Sequence, residues 1–149
     1  DAALAGAQKK QEPVFGYYWA PTSIMGAYDW WILEEPAYDP AVWDKISAAR
    51  EDKSLRPLDE AVAYETLPIN KGVHKSLKDK APDLYEMLKK MNVGLQPINK
   101  TAAWAVENDI QGDWEKAAIY YLENFEDRWS TWMPDKNFKK VKEALEDAS

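Results

Sequence analysis

Cysteine is absent from this chain, which removes disulfides, thiolate nucleophiles and zinc–thiolate sites together without fixing a compartment. Histidine is nearly absent: His74 stands alone in a lysine-rich segment (Lys71, Lys75, Lys78) and reads as a loop residue rather than a general base. Ser23, His74 and Asp79 can be strung into a triad on paper, but no nucleophile-elbow glycines surround Ser23. The 6 glycines form neither a P-loop nor a dinucleotide fingerprint. The acidic pairs Glu34-Glu35, Glu51-Asp52 and Asp59-Glu60 lack calcium-loop spacing and partner histidines, so they read as solvated charge. We therefore expect no enzyme, no metal and no cofactor. A Lys/Arg-dense stripe is missing and the net charge is −7, so a polyanion is repelled and nucleic acid is excluded as a partner. No apolar run approaches the ~20 residues of a membrane span, and no basic segment leads into an apolar one as in a signal peptide. The mature part of an exported protein would look the same.

What the chain does have is tryptophan, 8 copies in 149 residues. The length suits one domain with one core, and 46% apolar against 30% charged residues is a globular balance. Most of the indoles should therefore be core. Trp104, Trp114, Trp129 and Trp132 fall in helical segments and are expected to pack helices together, with Trp129 or Trp132 near the surface.

The organising stretch is Pro13 to Pro21, PVFGYYWAP. Its Val, Phe, Tyr and Trp residues predict a strand over Val14 to Trp19, stopped by Pro21. Alternation would place Phe15, Tyr17 and Trp19 on one face and Val14, Gly16 and Tyr18 on the other. Trp19 would then stand at the carboxyl end of a strand, the edge where open α/β sheets bind ligands.

Around it, Ala2 to Lys10 reads as a helix with a cationic last turn. Helix then strand is half of a β-α-β crossover, so the chain looks as if it begins mid-motif. Thr22 suits the N-cap of a short helix over Ser23 to Ala27, and Tyr28 to Leu33 predicts a second strand. The proline-rich stretch 36–60 should be a surface excursion with one helix near Val42 to Arg50, and Ala61 to Val73 an edge strand or two extended pieces. Beyond it come helices: one opening at Ala81-Pro82 with the stripe Leu84, Met87, Leu88 and Met91, one over Asn99 to Asn108, one capped by Asp113 and running to about Phe125, and one from Pro134-Asp135 with Phe138, Val141 and Leu145 inward.

PVFGYYWAP, YDWWILEEP, AYETLPINKGVHKSLKDKAPDLYEMLKKM and NDIQGDWEKAAIYYLENFEDRWSTWMP, in this order and spacing, resemble the C-terminal half of the glycine betaine/choline-type substrate-binding proteins of ABC importers. The resemblance implies an α/β fold. The chain, 1–149, would be a single unit equivalent to part of a type II periplasmic-binding-protein lobe, with a short sheet and a mostly helical C-terminal half. In that family a strand ending in Y-x-W-x-P or G-x-W-x-P supplies one wall of an aromatic cage, and the matching residue is Trp19. Tyr17, Thr22 and Tyr64 are weaker ligand-binding candidates. Relatives often carry His and an aromatic after W-x-P, where Thr22-Ser23 stand here, which speaks against a betaine-like carboxylate contact at this spot and favours choline, trimethylamine N-oxide or another ligand. The implied partners are a small methylated ammonium ligand and an ABC permease, with a missing N-terminal half or self-association covering an exposed lobe face. The implied location is periplasmic or extracellular and membrane-associated. A different reading from the same indoles is a tryptophan-rich module that stacks on sugars.

Overall fold

Helix formers and terminal lysines act as expected at the start of the chain: Ala2–Lys10 is helix α1, with Lys9 and Lys10 in its last turn. In the computed structural model, residues 2–110 and 112–148 are described. They divide into two compact units, Asp1–Trp30 with Gly72–Ser149 and, separately, Trp31–Lys71.

In the first unit α2 (Ser23–Ala27) follows Thr22, whose backbone is extended as an N-cap requires but whose side chain makes no capping bond. A short turn, α4 (Leu77–Lys80), leads into α5 (Pro82–Lys90), which starts with proline at its first position and ends in Lys89 and Lys90. Helix α6 (Leu95–Glu107) begins four residues earlier than the sequence pattern suggests, behind Gly94 at φ 71°, a left-handed conformation that favours glycine. Its buried residues fall in two i, i+4 rows, Pro97/Thr101/Ala105 and Asn99/Ala103, so it is covered on more than one side. It packs against both α2 and α7 (Trp114–Asn124). The last helices are α8 (Glu126–Trp129) and α9 (Asp135–Ala148).

The core lies among these C-terminal helices. Trp129 is fully buried, its indole N–H donating to the Leu122 carbonyl at 2.7 Å, with Phe138 at 4.9 Å between ring centroids. Tyr121 and Trp132 complete the buried cluster, and Met87, Met91, Val141 and Leu145 flank it. The inward positions expected of α9 are thus the ones that pack. Both Trp129 and Trp132 are buried, so neither marks the surface, and Trp114 is 78% exposed rather than a packing residue. Trp104 does join helices, stacking on Tyr120 at 4.1 Å.

In the second unit α3 (Pro40–Glu51) is capped by Asp39, whose Oδ1 accepts from the N–H groups of Ala41 and Val42. Arg56 folds back to donate to the carbonyls of Ala49 and Arg50, and Lys45 pairs with Glu60.

The expected α/β architecture is overturned. Helices take up 59% of the chain, and no strand or sheet exists among the described residues. Val14 to Trp19, Tyr28 to Leu33 and Ala61 to Val73 are not strands, and no crossover half and no sheet edge follow from them. β-type side chains bias a backbone toward extension, but a strand exists only when a neighbour supplies its ladder. Prolines 13, 21, 36 and 68 bound or interrupt these segments and deny them donors.

Candidate functional site

The loop between α1 and α2 carries three of the four candidate residues, and its geometry differs from a strand end. Tyr18 and Trp19 stack face to face, centroids 4.5 Å apart and planes 12° from parallel. Consecutive side chains of a strand point to opposite faces, so this stack requires a locally turned backbone. The partner of Trp19 is therefore Tyr18, not Tyr17. Trp19 remains 58% exposed, so Tyr18 covers one indole face and the other is open. Tyr17 is exposed in the same loop.

Thr22 anchors the loop end. Its Oγ1 donates to the Trp19 carbonyl at 3.3 Å, and its backbone N–H donates to Oδ1 of Asn99 on α6 at 2.8 Å. Asn99 is 1% exposed. Behind it Gly26 of α2 meets the backbone of Asn99 so closely that a Cβ there would lie 2.1 Å from the Asn99 carbonyl oxygen. The Trp30 indole N–H donates to the Ile24 carbonyl at 2.8 Å, tying down α2 from its C-terminal side.

Tyr64, the fourth candidate, belongs to the second unit. It is exposed and packs edge-on against Trp43 at 5.0 Å, and Tyr38 lies 6.2 Å from the same Trp43 ring. Burial, then the carboxylates of Glu65, Asp44 and Asp39, push the Tyr38 phenol above its ordinary value.

Sequence reasoning missed Tyr18 and Asn99. Strand alternation sent Tyr18 to the wrong face. Asn99 offered a signal, because asparagine is unfavourable inside a helix unless its amide has work elsewhere. A groove of about 590 Å³ runs between α5 and α9, with Pro82, Leu84, Met87, Met133 and Val141 in its walls. None of the four candidates lines it. Among the described residues no cluster of His, Cys, Asp or Glu could hold a metal, and no helix is long and apolar enough to cross a membrane.

The Trp19-Ala20-Pro21 loop thus presents one stacked, partly exposed indole. Comparison with curated proteins and with solved structures gave no match. A family model does match, over residues 1–124, that of the substrate binding domain of ABC-type glycine betaine transport systems. That family binds solutes and is not one of enzymes, and a small-molecule ligand and an ABC transporter are what it implies. The match covers most of the chain, and the chain belongs to the family of substrate-binding domains of ABC-type glycine betaine transport systems.

Proposed function

We propose that the chain binds a small methylated ammonium osmolyte, such as glycine betaine, choline, carnitine or trimethylamine N-oxide, for uptake by an ABC permease from outside the cytoplasmic membrane. The observation that carries this reading is the Trp19 indole, stacked on Tyr18 with its other face open, in a loop that lies within the residues matched to the family. A quaternary ammonium is drawn to an indole face by the ring quadrupole, worth about 0.5–2 kcal/mol depending on desolvation. Micromolar binding needs about −8 kcal/mol, so Trp19 and its neighbours Tyr17 and Thr22 account for part of a site. Further faces come from a second lobe or a partner chain.

Calorimetric titration with the four ligands, and with a neutral sugar as the control, tests the proposal. Trp19→Ala should abolish ammonium binding while far-UV circular dichroism stays unchanged. Saturable binding of the sugar alone would replace the reading with that of a tryptophan-rich sugar module. Undiminished affinity of the alanine variant would remove Trp19 from the site.

A further inference from the structure

We propose that Asn99 is the positioning residue of the ligand-binding loop, a role that rests on the reading of Trp19 as the ligand contact. Its Oδ1 receives the Thr22 N–H from 77 positions away, and Thr22 Oγ1 in turn holds the carbonyl of Trp19. The same residue presents its backbone carbonyl to Gly26 at a distance that leaves no room for a side chain. One helical residue thus fixes both the entry to α2 and its body. Held at Thr22 and followed by a helix packed closely at Gly26, the loop end is tied to α6, and through the Trp19 carbonyl this tie sets the direction of the open indole face.

The residue type fits the task. Leucine would fill a similar volume but leave the Thr22 N–H without its acceptor. Aspartate would keep the acceptor, at the cost of burying a charge where Asn99 is 1% exposed. The amide supplies an acceptor without a charge. The Oδ1 of this amide is committed to the Thr22 N–H.

The test uses the 149-residue chain, Asn99→Leu and Asn99→Asp, with two readouts. In ¹H–¹⁵N spectra the Trp19 indole resonance, identified by its loss in Trp19→Phe, should move in Asn99→Leu while that of buried Trp129 stays. Titration with choline and glycine betaine should show Asn99→Leu weakened about tenfold. Asn99→Asp should keep most of the affinity even with a lower melting temperature, because affinity follows the acceptor rather than stability. Should Asn99→Leu not fold, Asn99→Gln, which displaces the amide by one methylene, must move the same resonance. An unmoved Trp19 signal in a folded variant overturns the inference. Absence of saturable binding by the wild type would overturn the proposed function instead, and the inference would then be judged on the indole signal alone.

Discussion

Gly26 shows how little space separates α2 and the Trp19 loop before it from their support. A Cβ at this position meets the backbone of Asn99 and Lys100, with no flexible side-chain end to give way, so Gly26→Ala must push α2 off α6. Overpacking of this kind costs about 1–3 kcal/mol, and the urea midpoint should fall with an unchanged slope. A midpoint equal to wild type would mean that the two helices part freely. Trp129→Ala is expected to be more severe, at about 3–5 kcal/mol, because it empties the core and removes the donor to the Leu122 carbonyl. These residues differ in how readable they were. Trp19 and Thr22 were singled out from the W-x-P motif and its neighbour, both local features, and the candidacy of both remains a proposal. The roles of Gly26 and Asn99 exist only once residues 73 positions apart are brought into contact, and Tyr18 was lost to an assumed alternation that the backbone does not follow.

The helices were legible because their signals are local: proline at the start of α5, paired lysines at its end, and an aspartate before α7. The cap also makes a measurable prediction. Asp113 accepts from the backbone N–H of Lys116 at 3.2 Å, and this bond, followed by contacts with the Lys116 side chain, holds its carboxyl below the ordinary 3.8. A carboxyl depressed on folding contributes stability that is present above the ordinary value and lost as pH falls through the folded one. Melting temperatures taken from neutral pH down to acid should thus fall less steeply for Asp113→Asn, which caps without titrating, than for wild type. Parallel curves would show that the cap carries no linkage. The supposed strands were misread because aromatic and β-branched runs report extension only, while pairing depends on a partner segment that no local pattern encodes. That single error produced the sheet, the crossover and the alternating faces together.

At the scale of the molecule, the two units differ in what holds them. The unit containing α7 and α9 encloses the buried Tyr121, Trp129 and Trp132, whereas in Trp31–Lys71 the buried apolar residue is Ala49, and capping, ion pairs and the Trp43 ring contacts do the rest. Much apolar surface is left in water as a consequence. Trp31, 90% exposed, is followed by exposed Ile32 and Leu33, and Leu67 and Ile69 are exposed further along the same unit. Burying apolar area gains about 25 cal/mol for each Å² removed from water, so exposed rings and aliphatic chains of this kind favour association between copies. The net charge of −7 opposes it at long range, and salt screens that repulsion without weakening the apolar contact. Light scattering should therefore report a mass that rises with protein concentration in the micromolar range and rises further in high salt. Trp31→Ser should return the mass toward that of the monomer, because it removes the largest exposed ring of the run. A monomer at every concentration and salt level would show that these segments are tolerated in water as they stand.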